Sequence, residues 1–148
     1  MCFILLYMDE DLLKKALEND KNEIILNLNL NTEKVAELKN NILGQLNLPK
    51  TELKAIQKKL KEYRFIDELK ELHFGSYIRW ITIKNPEDIR LTNGGIVCDI
   101  KELNNDIVIK CKNNMGRFFQ LKMSENIIFQ KITNQENVLL HVMDYLKK

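Results

Sequence analysis

Cationic side chains are interleaved with aromatic ones in the stretch NDIVIKCKNNMGRFFQLKM, residues 105–123. Lysine and arginine neutralise phosphates, and an aromatic ring can stack on a nucleic-acid base. This combination therefore predicts a surface that binds the phosphate backbone of a nucleic acid and stacks on one or more of its bases. The candidate residues are Lys110, Lys112, Arg117, Phe118 and Lys122, with Arg79 from a neighbouring strand.

The same stretch predicts a β-hairpin whose turn is Asn114–Gly116, because glycine readily adopts the left-handed conformation that such loops need. On one face this turn pairs only apolar residues: Cys111 with Phe119, Ile109 with Leu121, and Ile107 with Met123. The other face then pairs Lys112 with Phe118, Lys110 with Gln120, and Val108 with Lys122. A slip of one residue would bury the lysines, so burial of the apolar face fixes this register.

Two interpretations of the lysine-bearing face remain open. It is either a binding surface, or a solvated face that keeps the sheet edge soluble while the N-terminal helices cover Phe118.

The run Tyr77-Ile-Arg-Trp enters a predicted strand with apolar residues on both faces. We expect Trp80 to lie in the core. Tyr77 and Arg79 are better placed for a rim, where arginine binds phosphate, carboxylate or an aromatic face. Pairing of Arg79 with Asp88 or Glu87 inside the domain is the alternative.

The elements that position these residues follow from periodicity. Alternation of Leu and Asn predicts a short strand over 26–30, and apolar spacings of three and four predict helices before and after it. A further helix is predicted from Thr51 to Leu72. Five strands follow, over residues 77–84, 95–101, 107–112, 117–123 and 127–132. A final helix begins at the capping box of Thr133 and Glu136.

These elements predict an α+β fold. A helical N-terminal segment, residues 1–74, packs on a small antiparallel SH3-like or Tudor-like β-barrel with a C-terminal helix, residues 75–148, in one compact unit.

The composition does not favour binding of the chain as a whole to a polyanion or a membrane, since the net charge of the 148 residues is +2. The first 75 residues carry 12 basic and 13 acidic side chains, net −1, and the rest carry 11 and 8, net +3. Three irregularly spaced cysteines indicate reduced thiols in an intracellular protein. The apolar start MCFILLYM is too short for a signal peptide or membrane span and predicts an edge strand or a lead-in to a helix.

Motifs of catalysis are absent from the sequence, which contains no Walker loop, no G-x-S-x-G and no H-E-x-x-H. The pair Gly94-Gly95 predicts a turn between strands and not a phosphate loop, since no helix follows it. We therefore expect no enzyme activity, no cofactor and no metal site.

Four segments resemble a group of uncharacterised short proteins from large nucleocytoplasmic (giant) DNA viruses. They are YRFIDELKELHFGSYIRWI, LTNGG, GRFFQLKMSENIIFQKIT and QENVLLHVMDYL, which together cover about residues 63–146. The shared features are a G-x-YIRWI strand, a Gly-Gly turn, and a Phe-Gln-Lys strand before the last helix. The resemblance implies a viral protein in the cytoplasm of an infected cell, in a viral factory or in the virion, and it implies no catalytic residue.

The sequence thus predicts a non-enzymatic interaction module, with nucleic-acid binding preferred and DNA and RNA both open. The alternative is a protein adaptor or virion scaffold component, which would bind a viral or host protein through an exposed apolar stripe on the helix from Thr51 to Leu72. An enzyme of an unrecognised class is the second alternative.

Overall fold

The computed structural model describes residues 10–147. The strand or helix lead-in expected at MCFILLYM lies outside this range. The helices are α1 Glu10–Glu18, α2 Glu23–Asn27, α3 Thr32–Gly44, α4 Lys50–Lys59 and α5 Asn134–Lys147. The strands are β1 Tyr63–Ile66, β2 Tyr77–Thr82, β3 Gly95–Leu103, β4 Asp106–Lys112, β5 Phe118–Lys122 and β6 Asn126–Lys131. Short 3₁₀ turns cover Asp20–Asn22, Leu69–Glu71 and Met123–Glu125.

The chain divides into two compact units, and neither coincides with the predicted segments 1–74 and 75–148. Residues 10–40 and 132–147 belong to the first, here called the helical unit, and residues 41–131 form the second, here called the sheet unit.

The helical unit is held by a small apolar core and by side-chain caps. Its buried apolar residues are Ala16, Ile24, Ile25, Leu30, Val35, Leu139 and Leu140. Asp144 caps α3, because its carboxylate accepts hydrogen bonds from the backbone N–H and the hydroxyl of Thr32 at 2.9 and 2.6 Å. The predicted capping box of α5 is confirmed, since Glu136 and Thr133 exchange two bonds of 3.0 Å.

The strand predicted over residues 26–30 is wrong, because α2 and its C-terminal turn occupy this segment. Ile24 and Ile25 are both buried, which adjacent residues of a half-exposed strand cannot be. Asn29 then adopts a left-handed φ of 52° and ends the helix. The Leu–Asn alternation therefore reflects a helix and its cap.

In the sheet unit, six antiparallel strands form one sheet in the order β1-β6-β2-β3-β4-β5. Buried apolar residues lie on both of its faces. The inner cluster contains Ile66, Leu72, Ile78, Trp80, Val97, Ile109, Cys111, Leu121 and Ile128. The outer cluster contains Leu43, Ile56, Leu60, Tyr63, Ile81, Ile127 and Phe129. Helical residues thus cover one face of β1, β6 and β2, and the other face of these strands joins the core shared with β3, β4 and β5.

The predicted α+β class is confirmed, and each of the five predicted strands after residue 75 is present. The sheet is not closed into a barrel, so the SH3-like or Tudor-like form is not confirmed. Within residues 10–147, β1 and β5 stand at the two ends of the strand order and do not pair with each other.

The helix predicted from Thr51 to Leu72 is wrong in its second half. The helix α4 ends at Lys59, and Tyr63–Ile66 form β1 beside β6. Leu60, Tyr63 and Ile66 recur every third residue and so imitate a helix, but pairing with β6 determines their conformation. Leu60 is buried completely and Ile56 is 8% exposed, so the apolar side of α4 faces the sheet unit's own core.

Candidate nucleic-acid interface

The hairpin of β4 and β5 has the predicted turn and ladder register. Cys111 is opposite Phe119 and Lys112 is opposite Phe118. Gly116 has φ 78°, and the Asn113 side chain accepts hydrogen bonds from the backbone N–H groups of Met115 and Arg117 at 3.0 and 2.9 Å. The ladder ends at Val108 and Lys122, so the expected pair of Ile107 and Met123 lies beyond it, although both side chains pack against the inner cluster.

Two lysines and one phenylalanine meet on the outer face of this hairpin. The Nζ atoms of Lys110 and Lys112 lie 4.8 and 5.6 Å from the centroid of the Phe118 ring. The ring remains 56% exposed. A cation–π contact at an exposed site contributes about 0.5–1 kcal/mol, which is enough to bias the ring orientation without fixing it.

Strand β3 adds a lysine that the sequence reasoning missed. Lys101 is opposite Val108, which is opposite Lys122, so the three side chains share the outer face. The sequence signal for this pairing was the Asn104-Asn105 dipeptide, since asparagine tolerates the positive φ that a two-residue hairpin turn requires. In the structure the φ angles of these two residues are 52° and 64°. That turn would have fixed the pairing of β3 with β4.

Two acidic side chains reduce the net positive charge of this face. Asp99 lies opposite Lys110 and forms an ion pair of 3.6 Å with Lys101. Asp106 accepts a hydrogen bond of 2.6 Å from the Ser124 hydroxyl, which lowers the pKa of the carboxyl group. The five cations Lys101, Lys110, Lys112, Arg117 and Lys122 minus these two acids leave a local charge of +3, the same sign as the excess in the sequence after residue 75.

The two arginines differ in their placement. Arg117 is exposed at the end of the turn. Arg79 belongs to β2, and its Nε donates to the carbonyl of Thr92 at 2.8 Å. Its charge opposes the rise that burial causes in the pKa of Tyr63, so Arg79 lies near β1. Among the described residues, the expected ion pair of Arg79 with Asp88 or Glu87 is not formed, and Asp88 pairs with Arg90 instead.

A second row of side chains connects Phe118 to the middle of the sheet. Tyr77 is opposite Ile96, Ile96 is opposite Lys112, and Lys112 is opposite Phe118. Ile96 is 47% exposed. The outer face therefore offers apolar and cationic contact area that extends from β5 to β2.

Trp80 is buried as predicted, with 8% of its surface exposed, and its ring meets Phe119 edge-on at 6.5 Å between centroids. It lies on the inner face, opposite to Phe118. Among aromatic residues of the hairpin, Phe118 is thus the one on the lysine-bearing face.

Three further observations concern metal ligands, thiols and membrane helices in the residues that the structure describes. No group of three or more His, Cys, Asp or Glu side chains in residues 10–147 is arranged to hold a metal ion. Burial, with a smaller effect of Cys98, raises the pKa of the Cys111 thiol to about 12, so the thiol is protonated at neutral pH. In the same residues no helix is long and apolar enough to cross a membrane.

Comparison of the chain with protein-family models, with curated proteins and with solved structures finds no match.

Proposed function

We propose that this protein is a non-enzymatic module that binds single-stranded nucleic acid on the outer face of the β4–β5 hairpin, with little sequence preference. The observation that supports it is the exposed Phe118 ring with the ammonium groups of Lys110 and Lys112 within 6 Å of its centre. This spacing suits a base stacked on the ring while its flanking phosphates meet the lysines.

Stacking of a base on Phe118 is energetically preferred to the contact of this ring with Lys110 and Lys112. Base–aromatic stacking contributes about 1–3 kcal/mol per base, whereas the exposed cation–π contacts contribute about 0.5–1 kcal/mol. A base can therefore take one face of the ring while the lysines shift to phosphates. The path for the phosphate backbone of the nucleic acid is extended by Lys101, Lys122 and Arg117. Arg79 would be a peripheral contact.

The protein-adaptor alternative has weaker support. It requires an exposed apolar stripe between Thr51 and Leu72, but Ile56, Leu60 and Leu72 are all buried. We further propose, from the resemblance alone, that the protein acts inside an infected cell or in a virion, where single-stranded intermediates of a viral genome or its transcripts would be the natural ligand.

The test is a titration of labelled single- and double-stranded oligonucleotides, DNA and RNA, at several salt concentrations. Lys110→Ala/Lys112→Ala should lower the slope of log affinity against log salt by about 0.7 per lost phosphate contact on single strands. Phe118→Ala should weaken single-strand binding by about 1–3 kcal/mol with nearly the same slope.

The matched control is Lys58→Ala/Lys59→Ala, which removes the same charge from two exposed residues of α4. A control that weakens binding as much as the hairpin variant would mean that only net charge matters. Absence of binding by the wild type at low salt would refute the proposal.

A further inference from the structure

The outer edge of β5 exposes backbone groups that a further strand could bond. Within residues 10–147, β5 pairs only with β4. Asn113 N–H donates to the Arg117 carbonyl at 2.9 Å, and bonded and non-bonded pairs alternate from there along an antiparallel ladder. Phe119 and Leu121 consequently bond to β4, and the N–H and C=O groups of Phe118 and Gln120 point to the open edge.

The end of this edge is defined by a side chain. Asn126 Nδ2 donates to the Lys122 carbonyl at 2.8 Å, which agrees with the alternation that directs this carbonyl away from β4. This bond supports the assigned alternation and leaves Phe118–Gln120 as the accessible part of the edge.

The inner face next to this edge is incompletely covered. Phe119 is 43% exposed, although its neighbours Cys111 and Leu121 on that face are 0% and 6% exposed. A cavity of about 750 Å³ is lined by Trp80, Phe119 and Leu121 together with lysines of the outer face. Apolar side chains of an added strand would cover Phe119 on this side.

On the outer face the same added strand would meet cations. Lys110 and Lys112 lie one strand in from the edge and Lys122 lies on β5 itself. Since side chains alternate between faces, the complementary segment alternates apolar residues, directed inward, with acidic residues, directed outward.

We propose that β5 binds an extended segment of a partner protein that alternates apolar and acidic side chains, which adds a seventh strand to the six-stranded sheet. A second copy of this chain is disfavoured as the occupant, because it would bring the lysines of two hairpins together. The inference does not depend on nucleic-acid binding: it shares the lysines of the outer face with that proposal, but it also requires the backbone edge and the inner face, which nucleic-acid binding does not use.

The test uses a short synthetic peptide that alternates glutamate with valine and is titrated into the ¹⁵N-labelled full chain. The amides of Phe118 and Gln120 should shift most and gain protection from hydrogen exchange. Gln120→Pro removes the outward N–H without removing a bond to β4, and edge strands tolerate proline. It should weaken binding about fivefold to tenfold, the equivalent of one hydrogen bond, whereas Gln120→Ala, which keeps the N–H, should not.

A peptide that alternates lysine with valine controls for strand propensity and should bind at least about tenfold more weakly. Equal binding of both peptides, or equal binding by the proline and alanine variants, would overturn the proposal. So would a peptide-bound spectrum in which the Phe118 and Gln120 amides remain unprotected. Sedimentation equilibrium that shows a wild-type dimer and a monomeric Gln120→Pro variant would assign the edge to a second copy instead.

Discussion

Replacement of Glu71 by glutamine should destabilise the sheet unit by about 3–5 kcal/mol, because it removes the negative charge from a buried ion pair. Glu71 Oε1 accepts a hydrogen bond from Arg64 Nη1 at 2.8 Å, and the two side chains are only 7% and 3% exposed. Glu71 Oε2 also accepts from the backbone N–H groups of Asp67 and Glu68 at 3.0 Å. Glutamine fits the same space, but its amide offers one acceptor oxygen where the carboxylate offers two. Its NH2 group therefore faces either the Arg64 guanidinium or the two backbone N–H groups, so the variant loses the negative charge together with accepted hydrogen bonds.

The matched control is Asp88→Asn. The Asp88–Arg90 pair has a similar separation of 2.9 Å, but its side chains are 51% and 82% exposed. An exposed pair contributes about 0–1 kcal/mol, so this variant should be nearly neutral. Burial, not distance, accounts for the predicted difference.

Urea denaturation followed by tryptophan fluorescence measures both variants. Trp80 is the single tryptophan of the chain and lies buried in the sheet unit, so its signal reports the unfolding of that unit. If Glu71→Gln costs no more than Asp88→Asn, the assignment of a buried, charge-paired network around Arg64 is wrong.

Three further results are expected. Trp80→Ala should cost about 3–5 kcal/mol in the same assay, because it removes a large aromatic ring from the inner cluster; a loss under about 1 kcal/mol would contradict its burial. Brief alkylation at neutral pH, read by peptide mass spectrometry, should modify exposed Cys98 and spare Cys111, whose pKa burial raises to about 12; equal modification would contradict this. Ser124→Ala should raise the pKa of Asp106 toward its ordinary value, since the lost hydrogen bond stabilises the carboxylate. In the wild type this stabilisation is present above the pKa of the carboxyl group in the unfolded chain and is lost as the pH falls through its pKa in the folded protein. An NMR titration in which the variant's Asp106 carboxyl group has the wild-type pKa would refute this prediction.

The hairpin was predictable from sequence because two independent local signals agree. Gly116 supplies the left-handed turn residue, and the alternation of apolar and basic residues allows one register. The relation of Phe118 to Lys112 followed directly from that register. The approach of the Lys110 ammonium to the same ring is a rotamer choice, which no sequence pattern specifies.

The strand β1 and the interior of the sheet unit were not predictable in this way. Tyr63–Ile66 is four residues long and follows a helix with compatible apolar spacing, so only pairing with β6 makes it a strand. The buried ion pair of Arg64 and Glu71 has no local sequence signal, because charged residues are normally expected at the surface and a spacing of seven positions does not indicate a contact. The bulge between Val97 and Asp99, which shifts Asp99 beside Lys110, likewise depends on the tertiary ladder.

The most direct test of the proposed function is an NMR titration of the full chain, with the phenylalanine rings labelled, by a single-stranded oligonucleotide at low salt. A base stacked on Phe118 shields the ring protons, so their signals should move upfield as binding saturates, while those of Phe129, which is 0% exposed, should not move. Saturable binding that leaves the Phe118 ring signals in place would contradict the account.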